Sequence, residues 1–228
     1  MPAQFANPQI NINGLVTVLD GIDPMSITAS STTWNDLSFY NNNGTLLGGA
    51  YYTSSGLGAV FFDGSDDRVY INNSDSINFS SSQQYTVMAM IYPYGGGTTW
   101  HGIFSKGNNQ QYALTINSAG AYLHYETNQS GYTALDSTPG DIVYNTWQHV
   151  AIRYDGSTKT IWRNGVIIAT QIAPRLTSTS NTEELRLEEG NNGESYRGLI
   201  SAFHNYNRAL SSLEINETFN ALRTRYGI

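Results

Sequence analysis

Short apolar or alternating runs recur along the chain, and clusters of Gly, Asn, Asp and Ser separate them. This pattern is typical of β-strands, because successive side chains of a strand point to opposite faces of a sheet. It predicts about ten strands, at residues 15–19, 59–62, 85–92, 112–116, 121–125, 147–154, 160–162, 166–169, 184–188 and 199–204. Polar stretches at 20–58, 126–146 and 170–182 are predicted to be loops that cross between sheets. Such long connections favour a jelly-roll sandwich over an up-and-down barrel.

Residues 147–169 are predicted to form a three-stranded antiparallel meander, in which a longer turn precedes a tight hairpin. The hairpin is centred on Asn164 and Gly165, since both residues tolerate positive φ and a type I′ turn matches the twist of the flanking strands. Trp147 and Trp162 stand on this meander. We expect both to pack between the sheets.

One helix is predicted, at the C-terminus. Ser211 and Glu214 form a capping-box pattern, in which each side chain satisfies an unpaired backbone amide of the first turn. Ile215, Phe219 and Leu222 follow at helical spacing, so the helix has one apolar stripe to bury.

The chain divides into three segments. Residues 1–13 contain two prolines and no periodicity, so they are predicted to be an extended arm and a candidate assembly contact. They also lack the basic and apolar parts of a secretory signal. Residues 14–210 are predicted to form one sandwich domain, and residues 211–228 the helix packed on it.

Composition limits the partners. The 228 residues include no cysteine, which excludes a disulfide scaffold and cysteine-ligated metals. The net charge is −7 and only two of the 11 basic residues are lysine, so the sequence is not that of a nucleic-acid-binding groove. No apolar run approaches the ~18 residues of a membrane span. We therefore expect neither nucleic acid nor a membrane as a partner.

Four segments carry a resemblance to a known family, at residues 60–69, 103–107, 145–165 and 198–210. Their order and spacing resemble the laminin-G-like jelly rolls of the concanavalin A-like lectin/glucanase superfamily. The resemblance covers residues 14–210 and implies an all-β fold, an antiparallel β-sandwich.

A narrower resemblance lies near the two ends, at residues 14–20, 33–37, 41–45 and 220–227. These segments look like the version of the fold found in structural proteins of tailed bacteriophages. The resemblance implies a non-enzymatic virion surface protein, either a capsid decoration protein or part of a tail fibre or other appendage, made in the bacterial host cytoplasm. Implied partners are the major capsid protein or other virion proteins, further copies of the chain, with a trimer favoured, and host-surface glycans. The alternatives are a carbohydrate-binding lectin module and a β-glucanase-type glycoside hydrolase.

Calcium is the one candidate cofactor. In the superfamily the position of Asp63 resembles a calcium ligand, paired with an acidic residue at the position of Ser201 or Ala202. Neither position is acidic here, so one strong carboxylate remains at the matched positions and a weak affinity is expected, since Ca²⁺ takes about 6–8 oxygen ligands. The candidate ligands are Asp63, Asp66, Asp67 and Ser201. The alternative is that Asp63 caps a turn and that Asp66 and Asp67 are solvated.

Glu184 and Glu188 are the candidate catalytic carboxylates, because they resemble the Glu-x-Asp-x-Glu strand of laminarinase-type glucanases. The central acid is Arg186 here, which would keep the glutamates ionised rather than raise one pKa for proton donation. Glycosidases need carboxylates about 5–9 Å apart, whereas four residues of a flat strand span about 13 Å. We expect an ion-paired outward face over inward Leu185 and Leu187, and no catalysis.

The four histidines stand in separate segments, at His101, His124, His149 and His204. Their spacing matches no zinc site. We expect them to be packed or to lie at strand edges.

The remaining candidate binding residues are aromatic residues in polar segments. Tyr92, Tyr94 and Trp100 stand in a Gly-rich segment that can project aromatic rings, and Asn128 and Tyr132 stand in a second polar stretch. Aromatic rings stack on the apolar faces of sugars while polar side chains bind the hydroxyls. These five residues form a predicted glycan site; the alternative is loop anchoring or subunit contact.

Overall fold

The computed structural model describes residues 10–79, 83–96, 99–107, 111–127, 134–173, 181–188 and 194–228. These residues form sixteen β-strands, two 3₁₀ helices and one α-helix. The strands make two antiparallel sheets that pack around one core. The predicted all-β sandwich with a short C-terminal helix is therefore confirmed.

In chain order the elements are β1 (Leu15–Asp20), β2 (Thr33–Trp34), β3 (Gly44–Leu47), β4 (Tyr51–Thr53), a 3₁₀ helix (Ser55–Leu57), β5 (Ala59–Asp63), β6 (Arg68–Ile71), a second 3₁₀ helix (Asp75–Ile77), β7 (Tyr85–Pro93), β8 (Trp100–Lys106), β9 (Ala113–Asn117), β10 (Tyr122–Glu126), β11 (Leu135–Asp136), β12 (Gln148–Tyr154), β13 (Thr158–Arg163), β14 (Val166–Ile172), β15 (Leu185–Leu187), β16 (Arg197–Tyr206) and α1 (Ser212–Tyr226).

Sheet A contains β14, β13, β12, β7, β16, β5 and β4 in that spatial order, and β1 pairs with the C-terminal part of β16. Sheet B contains β11, β10, β9, β8, β15, β6, β3 and β2. The chain crosses between the sheets repeatedly, from β5 in sheet A to β6 in sheet B and from β7 in sheet A to β8 in sheet B. These crossings are the jelly-roll connections that the loop lengths predict.

The core lies between the inner faces of the two sheets. Phe203 of sheet A and Phe104 of sheet B contact each other across it, with ring centroids 5.6 Å apart. Tyr85 and Tyr125, also from opposite sheets, share a hydrogen bond of 2.5 Å between their hydroxyls. The hydroxyl groups of these two tyrosines are therefore hydrogen-bonded inside the apolar core.

All ten predicted strands are present, with ends shifted by up to three residues. The predicted uninterrupted loops are wrong in two places, because residues 20–58 contain β2, β3 and β4 and residues 126–146 contain β11. These strands have two to four residues each, too few for an alternating pattern to stand out. The alternation also does not predict β6, which is short, and β8, which glycine and polar residues interrupt.

The hairpin at Asn164 and Gly165 is confirmed. Both residues have positive φ, 48° and 75°, and they join β13 to β14 in the predicted three-stranded meander. A Cβ atom at position 165 would lie 2.8 Å from the Asn216 side chain and 2.9 Å from the Phe219 ring of α1. Glycine therefore also lets the helix approach the turn closely.

Helix α1 begins with the predicted capping box. Ser211 Oγ accepts the backbone N–H of Glu214, and the Glu214 carboxylate accepts the backbone N–H of Ser211. Gly227 ends the helix in the left-handed conformation, at φ 70°. Neither α1 nor any other described helix has the length and apolar character needed to cross a membrane. The predicted stripe is buried against sheet A: Ile215, Phe219 and Leu222.

Trp147 and Trp162 do not pack between the sheets, so that prediction is wrong. Both lie on the outer face of sheet A beneath α1, where the rings of Trp147 and Tyr226 have centroids 4.7 Å apart and Trp162 belongs to an apolar cluster with Ile215. The reason is strand alternation, because Ile161 points into the core and its neighbour Trp162 must point the other way.

Residues 10–13, the described part of the predicted arm, lie beside the first turn of α1. Asn11 Nδ2 donates to Glu214 Oε1 at 2.7 Å, and Arg208 Nε donates to the backbone carbonyl of Asn13 at 2.7 Å. Residues 1–9 lie outside the described residues. The arm's role as an assembly contact stays a prediction.

Candidate functional site

The outer face of sheet B carries a group of aromatic and charged side chains. Leu123 and Tyr125 of β10 point into the core, so the residues that alternate with them point outward. The adjacent strand β11 adds one acidic residue, and β8, on the far side of β9, adds one aromatic residue. We call this group the Trp100 cluster; it consists of Trp100, Tyr122, His124, Glu126 and Asp136.

His124 is the centre of the Trp100 cluster. Its Nε2 lies 2.9 Å from Glu126 Oε1, and its Nδ1 hydrogen-bonds to Asp136 Oδ1 from the paired strand β11. Burial opposes a charge on this ring, but the two carboxylates outweigh it and raise the pKa of His124 above its usual value. The arrangement therefore favours the imidazolium form of His124, held between Glu126 and Asp136.

Trp100 contacts the His124 ring at a tilt, with an angle of 52° between the ring planes. Its ring centroid lies 4.7 Å from that of His124, and it meets Tyr122 edge-on at 6.2 Å. The other three tryptophans are buried, so Trp100 is the one tryptophan with a partly exposed ring: Trp34, Trp147 and Trp162. The indole and the two carboxylates together offer an apolar plane beside hydrogen-bond acceptors.

Four members of the Trp100 cluster are not among the predicted glycan residues: Tyr122, His124, Glu126 and Asp136. His124, Glu126 and Asp136 meet through the pairing of β10 with β11, which no local motif announces. One signal was available, because His124 and Glu126 alternate with the apolar residues of a predicted strand and must lie on its outer face.

The structure separates the predicted glycan residues. Tyr92 and Tyr94 lie on the outer face of sheet A, where the ring of Tyr92 is 5.6 Å from that of Tyr94 and 5.4 Å from that of Trp147. Trp100 lies on the outer face of sheet B, so these residues do not form one display loop. The reason is that β7 and β8 belong to different sheets. Asn128 and Tyr132 lie outside the described residues, in the segment between β10 and β11.

Asp63, Asp66 and Asp67 come together after β5, with one carboxylate oxygen from each within 4.8 Å of the others. Asp67 Oδ2 accepts the backbone N–H of Asp63, and Asp63 Oδ1 accepts that of Ser65, both at 2.7 Å. The predicted turn cap is thus present. Asp67 is buried rather than solvated, and burial, together with the charges of Asp63 and Asp66, raises its pKa. Calcium at these carboxylates stays a prediction.

Ser201 is not part of this acidic cluster, which corrects the predicted ligand set. Its Oγ accepts the Tyr226 hydroxyl at 2.8 Å and donates to the backbone carbonyl of Gly58. Arg197, not Ser201, pairs with Asp63 across the strands. Ser201 is four residues further along β16, a span of about 13 Å. It instead fastens the last turn of α1 to sheet A.

The glutamates that flank β15 do not share one face, so the predicted outward face of Glu184, Arg186 and Glu188 is present only for Glu184 and Arg186. Arg186 Nη2 lies 2.6 Å from Glu184 Oε1, and although burial opposes it, bonds from the backbone and from Arg186 lower the pKa of Glu184. Leu185 and Leu187 point into the core as predicted. Glu188 is buried just after the strand and has φ 88°, so it does not share the outward surface.

Two further histidines are buried on the outer face of sheet A, beneath α1. The ring of His149 lies 5.9 Å from that of Phe219, and neither of its nitrogens has a hydrogen-bond partner within the described part of the chain. Burial lowers the pKa of His149 to about 3 and that of His204 to about 4. Both rings are therefore neutral at neutral pH.

The fold is similar to solved binding domains. The binding domain of Paraclostridial Mosquitocidal Protein 1 aligns with TM-score 0.72 and 18% identity over 91% of this chain and 52% of that chain. The binding domain of botulinum neurotoxin DC, solved with SialylT, aligns with TM-score 0.72 and 17% identity over 92% and 52%. Domain 4 of AbnA, a GH43 extracellular arabinanase from Geobacillus stearothermophilus solved with arabinotriose, aligns with TM-score 0.67 and 16% identity over 89% and 97%. The chain thus spans about half the length of the toxin domains.

Sequence comparison assigns the family. No curated protein matches the chain. The sequence model described as Concanavalin A-like lectin/glucanases superfamily matches residues 63–216, which is more than half of the chain and runs from the end of β5 into α1. Fold and sequence agree, and the chain belongs to the concanavalin A-like lectin/glucanase superfamily.

Proposed function

We propose that the chain is a non-enzymatic module that binds glycans through the Trp100 cluster. The observation that carries the proposal is the partly exposed indole of Trp100, which rests on His124 between two carboxylates. An indole face stacks on the apolar face of a sugar ring, and carboxylates accept hydrogen bonds from its hydroxyls. Asp136 is the more accessible acceptor, because half of its side chain is exposed.

Binding is favoured over hydrolysis by the state of the carboxylates. A glycosidase needs one carboxyl group with a raised pKa to protonate the leaving oxygen. Glu126 and Asp136 both contact the ring nitrogens of His124. Glu184 is paired with Arg186 and has a lowered pKa. Glu184 is therefore held in the ionised form, which cannot donate a proton.

The solved neighbours support the same proposal. Two of them are binding domains, one of which was solved with SialylT, and the third is Domain 4 of an arabinanase, solved with arabinotriose. Their names describe sugar or receptor recognition by this fold. For this chain that role is a proposal, since fold similarity alone does not transfer a function.

Glycan binding is tested on an oligosaccharide array that includes arabinan, cello-, chito- and galacto-oligosaccharides and sialylated glycans. Hits are then titrated with wild type, with Trp100→Ala and with Phe39→Ala. Phe39 is the matched control because its ring is fully exposed and is not a member of the Trp100 cluster. We expect Trp100→Ala to weaken binding at least about tenfold, equivalent to ~1.4 kcal/mol, and Phe39→Ala to leave it unchanged.

Two results would overturn this proposal. Equal affinities of wild type and Trp100→Ala for every hit would place binding elsewhere. Release of soluble sugars from a probe polysaccharide, abolished in Glu126→Gln, would replace the binding module by the glucanase alternative.

We further propose that this module is displayed on a bacteriophage virion, as a capsid decoration protein or a tail-appendage component. The support is the resemblance of residues 14–20, 33–37, 41–45 and 220–227 to phage structural proteins. Repeated display would also strengthen weak glycan contacts through multivalency. Contacts with the major capsid protein or other virion proteins, and a trimer of this chain, belong to the same proposal.

Virion display is tested by mass spectrometry of purified phage particles from the source of the sequence, with copy number relative to the major capsid protein. Hundreds of copies per particle would support capsid decoration, and a few copies would support a tail appendage. Complete absence from particles would overturn the virion proposal and leave the glycan-binding proposal to its own test.

A further inference from the structure

Lys106 of β8 is buried, which is rare for a lysine unless its ammonium group is paired. Its Nζ donates to Asn73 Oδ1 and to Asn181 Oδ1, each at 2.8 Å, and to the backbone carbonyl of Glu183. Burial outweighs the charges of the nearby glutamates and lowers the pKa of Lys106 to about 8. A fraction of this side chain is therefore an uncharged amine at neutral pH, and an uncharged amine is a nucleophile.

The side-chain amide of Asn181 is presented to this amine in a fixed position. The Asn78 side chain holds the backbone of Asn181 from both sides, accepting its N–H at 3.3 Å and donating to its carbonyl at 2.8 Å. Asn181 Oδ1, which accepts from Lys106, also accepts the backbone N–H of Glu183 at 3.2 Å. That N–H points at the oxygen on which negative charge would develop if the amide carbon were attacked.

A carboxyl group stands beside the amide nitrogen. A Cβ atom built on Gly107 would lie 2.6 Å from Glu183 Oε2 and 2.9 Å from Asn181 Nδ2, so both atoms converge on the same point above this glycine. The nucleophile, the amide carbonyl, an oxyanion donor and a carboxyl group are thus assembled at one end of sheet B. Positioning of this kind is the main requirement for a reaction within one chain.

We propose that Lys106 and Asn181 join through an intramolecular isopeptide bond. The uncharged Nζ attacks Cγ of Asn181, the C–N bond to Nδ2 breaks, and Nδ2 leaves as ammonia. Glu183 carries a proton from Nζ to the departing nitrogen. Lysine amine plus asparagine amide give a secondary amide plus ammonia, so no oxidant, reductant or other reactant is needed.

Asn73 provides a matched comparison. Its Oδ1 lies at the same 2.8 Å from Lys106 Nζ, but within the described residues it accepts no backbone N–H. Of the two asparagines, Asn181 is therefore the one whose amide carbonyl is prepared for attack. The bond would tie β8 to the residue that precedes β15 and would close a loop of the intervening chain, independently of glycan binding at the Trp100 cluster.

Intact-mass spectrometry of the purified full chain tests the bond. We expect the wild-type mass to be lower than the sequence mass by one ammonia, with the loss absent in Lys106→Met and Asn181→Asp and retained in Asn73→Asp. Protease digestion should then give a branched peptide containing Lys106 and Asn181. Asn181→Asp preserves the shape of the side chain, so the test stands if Lys106→Met does not fold.

A wild-type mass equal to the sequence mass would overturn the proposal. Loss of ammonia that persists in Lys106→Met would also overturn it, because cyclisation at an Asn-Gly pair such as Asn164 and Gly165 releases ammonia without a lysine. If Asn73→Asp abolished the loss of ammonia and Asn181→Asp did not, Lys106 would be joined to Asn73, and the proposed bond to Asn181 would be wrong.

Discussion

The two outer faces of the sandwich carry similar residues in opposite states. On sheet A, helix α1 covers the strands, and Trp147 and Trp162 are buried beneath it. On sheet B no described helix covers the strands, and Trp100 remains partly exposed beside His124. An outward aromatic residue therefore stabilises the fold when a helix covers its side of the sheet, and it is available for binding when that side is uncovered.

The histidines divide in the same way. His149 on sheet A is buried and has no hydrogen-bond partner within the described residues, so burial, together with the nearby His204, keeps it neutral and lowers its pKa to about 3. His124 on sheet B lies between Glu126 and Asp136, and its pKa is raised. The environment on sheet A therefore disfavours protonation of His149, whereas the environment on sheet B favours protonation of His124.

Replacing a tryptophan on each face should give the largest contrast. Trp147 is only 8% exposed and contacts Tyr226 and Tyr92, so Trp147→Ala is expected to lower the free energy of unfolding by ~3–5 kcal/mol. Trp100→Ala should cost ~1 kcal/mol or less while abolishing glycan binding. Chemical denaturation of both variants checks this, and equal losses of stability would break the comparison between the faces.

Acid should destabilise the chain through the histidines beneath α1. The folded pKa of His149, about 3, lies below its unfolded value of 6.5, so the unfolded chain takes up a proton that the folded chain does not. The free energy of unfolding should therefore fall as the pH drops below 6.5, by ~2–3 kcal/mol at pH 4.5 for this residue. His149→Phe should lose less stability than wild type between pH 7 and pH 4.5 in urea titrations. An identical loss in both proteins would contradict this assignment.

The histidine of the Trp100 cluster should respond in the opposite direction and more weakly. Its folded pKa is raised above 6.5, so its stabilising charge is fully present below that pH and is lost as the pH rises through the folded pKa. His124→Gln should thus destabilise the chain more at pH 6 than at pH 9. The effect should stay below ~1 kcal/mol because the Asp136 carboxylate is half exposed and screened. Thermal melts of wild type and variant at the two pH values provide the measurement.

The smallest effect is expected at Asp63, Asp66 and Asp67, at the end of β5. Asp63 and Asp67 already accept backbone N–H groups, which satisfies part of their hydrogen-bonding capacity. We expect melting temperatures in excess calcium and in excess chelator to agree within repeat scans. A reproducible rise with calcium, absent in Asp67→Asn, would establish a bound cation, because a ligand of the native state must stabilise it.

Local chemistry explains why much of the fold is predictable from the sequence. The hairpin at Asn164 and Gly165 and the capping box of Ser211 and Glu214 depend on neighbouring residues only, and both are confirmed. β2 is different, because it has two residues and exists through its pairing with β3. No local pattern contains that pairing.

The candidate site is less predictable because it depends on register and on sheet order. Trp100, His124 and Asp136 come from three strands, and only the placement of β8, β9, β10 and β11 side by side brings them together. Tyr94 and Trp100 are close in sequence but lie on opposite sides of the molecule. In a fold whose consecutive strands often belong to different sheets, residues that are close in sequence therefore need not share a surface.

The positions of the chain ends determine how the molecule can be oriented on a support. Asn11 binds the first turn of α1, and Ile228 packs against the outer cluster of sheet A. Both ends of the described chain therefore lie on the side away from the Trp100 cluster. A tether attached at either end of this segment would leave that cluster pointing into solution, so a biosensor chip coated in this way would present a uniform layer of accessible indoles.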